Sequence, residues 1–225
     1  MWRLGKGGCA LVAALLSTMG TGFATDLAPI ALGPVKSPAG ATNWTVGLEA
    51  GPEYHATTRG SVEAGSYADT SIKGSIGYSF DSNWLLNGAV QVDLKSNATQ
   101  QYYVEAGLGY KFAFGDFSLT PQAALGDTWD ATGLGADGDA NALYYALYLS
   151  ADVKLDSHWS WTIVNARWRD AFDYQWQTPK LSTGLSYALS DSAKLAINAG
   201  YSWKNTGDGY YGDKVNLSAA FKYAF

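Results

Sequence analysis

The chain has two histidines, and one of them opens the triplet His158-Trp159-Ser160. A histidine this close to a serine would make a base for a nucleophile if a carboxylate oriented it. The surrounding residues point elsewhere. Leu155-Asp156-Ser157-His158-Trp159 follows the pattern of Phe80-Asp81-Ser82-Asn83-Trp84, so His158 stands where another turn has an asparagine. His55 has no serine and carboxylate pattern around it. A second candidate is the stretch 127–141, where Asp127, Asp130, Asp137 and Asp139 lie among glycines. Oxygen ligands on such a loop suit calcium, but the ordered ligand series of an EF-hand and its closing glutamate are missing. The stretch reads as a solvated acidic loop. Trp129, Phe172, Tyr174, Trp176, Tyr210 and Tyr211 would stack on sugars, yet at strand ends they read first as interfacial anchors. No catalytic, cofactor-binding or metal set is assigned, and the chain is not read as an enzyme.

The remaining candidates are charges whose meaning depends on the elements that hold them. Of 225 residues, 47% are hydrophobic and 14% aromatic but only 16% charged, against roughly a quarter charged in ordinary soluble domains. Something other than a charged surface must cover this chain. A net charge of -5 without a basic cluster excludes nucleic acid as a partner. After residue 24 nothing approaches the run of about 20 apolar residues that a membrane helix needs. Residues 1–24 themselves carry Arg3 and Lys6, a short apolar run at 10–16 and small residues at Gly22 and Ala24. That is the pattern of a cleaved secretory signal peptide. Its removal takes away Cys9, the only cysteine, as suits passage through an oxidising compartment. Residues 25–43 hold Pro29, Pro34 and Pro38 and read as an extended periplasmic segment.

From Trp44 to Phe225 a period of two runs through nearly every segment. Ile72, Ile76, Tyr78 and Phe80 share one face, and Lys73, Ser75 and Ser79 the other. Leu86, Val90, Val92 and Leu94 oppose Asn87, Gln91 and Asp93 in the same way. Such strands have two chemically different faces. Ten are counted, with eight or twelve admitted because the first, fifth and seventh are irregular. In the seventh, Thr162, Val164, Ala166 and Trp168 are expected on one face and Asn165, Arg167 and Arg169 on the other. Short connections at 81–83, 115–116, 156–158 and 190–192 alternate with long ones. The polar face is mostly Gly, Ala, Ser and Asn, a poor water-facing surface but a good lining for a narrow lumen. The fold expected is all-β: a transmembrane up-and-down antiparallel β-barrel with short periplasmic turns and longer extracellular loops.

The chain ends Leu217-x-Ala219-x-Phe221-x-Tyr223-x-Phe225, which resembles the carboxy-terminal signature of Gram-negative outer-membrane β-barrel proteins, a porin-like class. The resemblance implies the bacterial outer membrane as location and insertion by the barrel assembly machinery through Phe225. Outer-membrane lipid and lipopolysaccharide would be the surroundings. His158-Trp159-Ser160 is similar to the His-x-Ser of outer-membrane lipid A deacylases, but its turn falls on the periplasmic side, away from that lipid. The adjacent aspartates and His-Asp pair of the ten-stranded omptin proteases are not recognisable.

Inside such a barrel the charges become a lining. Glu49, Lys73, Asp93 and Glu105 fall on the first four strands, and Asn165, Arg167 and Arg169 on the seventh. These seven residues are expected to line the lumen, with acids on one wall and arginines on the other. A charge in a narrow lumen is costly unless paired or hydrated. Either the side chains meet and plug the barrel, or water keeps them apart and the field selects small polar solutes. The leading expectation is a narrow passive pore for ions or small polar solutes. The alternatives are a closed structural or surface-binding barrel whose extracellular loops contact glycans or partner proteins, and an outer-leaflet lipid-modifying enzyme.

Overall fold

Strands with one apolar and one polar face form a two-sided wall once their sheet closes on itself. The structure, a computed structural model, describes residues 43–95, 100–130, 141–173 and 175–225. The expected signal peptide, the proline-rich segment up to residue 42, Asp137, Asp139 and Tyr174 lie outside the described residues. The strands are β1 (Trp44–His55), β2 (Tyr67–Ser79), β3 (Trp84–Lys95), β4 (Gln101–Tyr110), β5 (Phe112–Phe114), β6 (Phe117–Asp130), β7 (Ala142–Lys154), β8 (Trp159–Ala171), β9 (Lys180–Ala188), β10 (Ala193–Lys204) and β11 (Tyr211–Ala224). Apart from β4 and β5, neighbours in sequence pair antiparallel; β4 pairs with β6, and β1 pairs with β11 to close the barrel. Since β5 only continues β4, ten strands surround the lumen, as the alternation predicts.

Each irregularity has a local cause. The ladder of β4 on β6 ends at Gly109↔Gln122 and resumes as Phe112↔Leu119. The interruption faces Pro121, which has no N–H to give. Lys111, at the break, keeps the ladder on its other side, donating its N–H to the carbonyl of Asn83. Pro52 does not end β1, which runs on to His55 through a bulge at Glu53/Tyr54. β6 continues to Asp130, so Asp127 and Asp130 belong to a strand and not to the expected loop. In β8, Val164, Ala166 and Trp168 do oppose Asn165, Arg167 and Arg169. Thr162 does not join the first set, because a register shift between Thr162 and Asn165 turns it inward to donate to Asp152.

The apolar face points out. Leu125 is 60% exposed while its neighbour Ala124 is 6% exposed, and the pattern repeats along β6 and β7. Rings ring both ends of this apolar band. At the short-turn rim Trp44, Tyr78 and Phe80 touch in series, as do Trp84, Tyr110 and Phe112, then Trp159 with Tyr187 and Tyr223 with Phe225. At the loop rim Tyr54 meets Tyr67, Tyr102 stacks on Trp129, Tyr145 meets Phe172 and Trp168 meets Tyr210. From Tyr102 to Tyr110 the chain spans about 27 Å at ~3.4 Å per residue. A tilt of ~40° leaves about 20 Å of height, close to the apolar band of a membrane barrel.

Candidate functional site

The polar faces of ten strands meet in the lumen, and all seven residues expected there point into it. Glu105 on β4 takes hydrogen bonds from the hydroxyls of Tyr148 at 2.6 Å and Tyr144 at 3.1 Å, both on β7. Arg169 on β8 reaches the same carboxylate at 3.4 Å. Its guanidinium also lies over the ring of Tyr144 at 4.6 Å and that of Tyr103 at 5.1 Å. The acidic and arginine walls therefore meet here. Arg167 instead donates to the backbone carbonyl of Thr178 at 3.2 Å. Asn165, next along the same inner face, is buried beside Ser182, whose hydroxyl bonds its backbone carbonyl.

Glu49 accepts from Ser218 at 2.5 Å and faces Lys73, its cross-strand partner, at 3.8 Å. Asp93 accepts from Gln91 at 2.8 Å. It also joins Glu53 and Asp69 in a group of carboxylates whose oxygens lie within 4.8 Å of one another. That group has a cation already. The Lys214 ammonium donates to Asp69 at 2.6 Å and Glu53 at 2.8 Å, and Lys180 stands 3.7 Å from Glu53. Three carboxylates this close would suit a metal ion by donor type, but two lysines answer their charge from the chain itself.

Between these groups lies a small cavity of about 10 Å³ lined by Glu49, Glu53, Lys73, Lys180, Asn216 and Ser218. That is about the room of one water. The loop-side end is filled by rings. Trp176, from the connection between β8 and β9, is 2% exposed and packs on the fully buried Tyr144 at 5.7 Å. Gly126 makes room for this wall, because any Cβ there would meet the Tyr144 ring. At the short-turn end the lumen opens into a vestibule of about 420 Å³, lined by Lys111, Ser118, Asp152, Thr162, Ser186 and Lys194.

Several of these residues were within reach of the alternation. Glu53 continues the inward series Glu49, Gly51, Glu53, and Lys180, Lys194, Lys214 and Lys222 fall on the polar faces of their strands. The two prolines and the loose strand ends hid them. Trp176, expected as an interfacial anchor on an outer loop, is buried against Tyr144 instead, since nothing periodic says that a loop ring folds inward. His158 lies in the short-turn rim, where Asp156 accepts from the backbone N–H groups of His158 and Trp159, both at 2.7 Å. Those two donors, Trp159 foremost, hold the Asp156 carboxyl below its ordinary range. The His158 ring stacks on Tyr187. His55 ends β1 at the loop rim.

No protein-family profile matches the chain, and no curated protein matches its sequence. Solved structures do. The COG4313 outer membrane channel from Pseudomonas putida F1 is 11% identical over 89% of this chain and 100% of that one, with a TM-score of 0.50. The CymD monoaromatic hydrocarbon channel matches 95% of this chain and 97% of its own at 10% identity and a TM-score of 0.46. For the KdgM porin the shares are 80% and 99%, at 13% identity and a TM-score of 0.42. At such identities the likeness is one of fold. The chain has the closed barrel of the outer-membrane β-barrel proteins.

Proposed function

We propose that this chain is an outer-membrane barrel whose narrow lumen passes water and small ions and bars solutes of sugar size. The observation that supports the reading is a polar, charge-lined lumen in which Glu49, Glu53, Lys73 and Lys180 surround a cavity of about 10 Å³. Apolar lumens exclude ions, and wide ones leave charges unpaired; this lumen does neither. On this reading Glu49, Lys73, Asp93, Glu105, Asn165, Arg167 and Arg169 are the pore lining. The short turns face the periplasm and the long connections face outward. Residues 1–24 direct export, Phe225 is the end read by the assembly machinery, and lipid with lipopolysaccharide meets the apolar belt. The reading assigns no catalytic step.

Planar-bilayer recording tests it. Discrete conductance steps are expected in KCl, with no uptake of sugars in liposome swelling. No discrete conductance in wild type and in Arg167→Ala alike would sink the pore reading. One observation favours the second reading, a closed barrel that works through its outer loops. Trp176 is folded into the mouth and held from both sides, since Gln177 accepts from Tyr210 and pairs with Asn205. If that reading holds, trimming 206–209 abolishes surface binding while the silent bilayer trace stays unchanged.

A further inference from the structure

The vestibule at the short-turn end has a charge pattern unlike the rest of the lumen. Lys194 on β10 and Lys222 on β11 are direct cross-strand partners on the inner face. Like charges placed so destabilise a sheet unless something neutralises them. Lys111 enters the same space from the break between β4 and β5, and Asp152 is the carboxylate within electrostatic reach of all three. Asp152 is fixed in turn: one oxygen accepts from Thr162 at 2.5 Å, and the other, Oδ2, is buried without a hydrogen-bond partner. Hydroxyls of Ser118, Ser160 and Ser186 complete the wall. At the mouth Asp116 and Asp191 are exposed to water, and Asp156 is committed to its own turn. The volume of about 420 Å³ leaves room for a small anion together with water.

We infer that this vestibule binds inorganic phosphate, with Lys111 and Lys194 neutralising its charge, Lys222 adding its field from behind Lys194, and the Asp152 carboxylate accepting its P–OH hydrogen. The carboxylate is what makes the assignment specific. Lysines alone would take any small anion, whereas an ionised acceptor among them repels every anion that has no proton to donate. Inorganic phosphate keeps a P–OH in both of its forms near neutral pH. Sulfate has none, and a phosphomonoester above its second pKa of about 6 has none either. The inference goes beyond conduction, since it needs a filled vestibule and no open path.

The test is titration calorimetry on the refolded full-length barrel in detergent at pH 7 and low salt, with phosphate, sulfate and methyl phosphate as probes. Saturable phosphate binding at least tenfold tighter than sulfate or methyl phosphate is expected. Asp152→Asn should remove that preference, because an amide can donate to sulfate as well as accept from phosphate. Lys111→Met with Lys194→Met should weaken phosphate at least tenfold while the barrel still shows heat-modifiable migration. Absence of saturable phosphate binding by the wild type overturns the inference, and so does equal binding of phosphate and sulfate. Both readouts use the wild type alone, so they stand even if a variant fails to fold. A barrel silent in bilayers that still prefers phosphate would refute conduction and keep this site.

Discussion

Arg169 is surrounded by partners that each use a different property of its side chain: the Glu105 carboxylate takes its charge and N–H, and the rings of Tyr103 and Tyr144 take its flat face. Removing one partner of a buried ion pair leaves the other charge stranded, at about 3–5 kcal/mol. Arg169→Ala is therefore expected to lower stability by about 3 kcal/mol or more in urea unfolding from detergent. Glu105→Gln should cost less, because the Arg169 guanidinium it leaves keeps the faces of Tyr103 and Tyr144 and the amide oxygen keeps one of the two tyrosine hydroxyls. Arg169→Lys keeps the charge and loses the planar contact, and should fall between the two. Equal stability of all three variants would mean that water, not Arg169, solvates Glu105. At this scale the sequence was informative about position and silent about partner. A period of two placed Glu105 and Arg169 in the lumen, but the hydroxyls of Tyr144 and Tyr148 are polar atoms on residues that read as apolar bulk.

Strands were legible where alternation was unbroken and less so where proline or a bulge intervened. Pro121 looked like a defect in the fifth strand, and its effect falls instead on the neighbour, splitting β4 from β5 opposite the missing donor. The connection carrying Trp176 is the element that periodicity could not see, since its inward fold depends on a ring finding Tyr144 across the mouth. Replacing a buried Trp by Ala costs about 3–5 kcal/mol, and here it also clears the outer mouth. Trp176→Ala should thus lower the unfolding midpoint and raise single-channel conductance above wild type; unchanged conductance would place the constriction elsewhere. The Asp156 turn gives a prediction in pH. Two N–H donors lower its carboxyl in the folded chain, so its hold on the turn is complete above the ordinary carboxyl value of about 3.9. That hold is lost only as pH falls through the lower folded value. The side-chain carboxyl carbon resonance of Asp156 should titrate with its midpoint below about 3.9; a midpoint above that value would contradict the bonds.

Over the whole molecule, the fold turns a soluble protein's arrangement inside out, with rings at both rims and charges at the centre. The short-turn girdle ends at Phe225, whose N–H bonds the carbonyl of Trp44 across the seam. Deleting Phe225 should reduce the heat-modifiable barrel recovered from outer membranes while leaving the thermal midpoint of purified barrel nearly unchanged. A large drop in that midpoint would assign the residue to stability and not to delivery. The seam itself has a further consequence. Glu49, Glu53, Asp69, Asp93 and Glu105 come early in the chain, and Arg167, Arg169, Lys180, Lys194, Lys214 and Lys222 come late. Lys214 reaches Glu53 and Asp69 across 161 and 145 residues. On the lumen face, with Lys73 and Lys111 early and Asp152 late as exceptions, a partly assembled sheet is therefore mainly acidic in its first half and mainly basic in its second. The two halves attract each other like the sides of a clasp, and the charge order along the chain draws β11 onto β1 in the register that shuts the barrel.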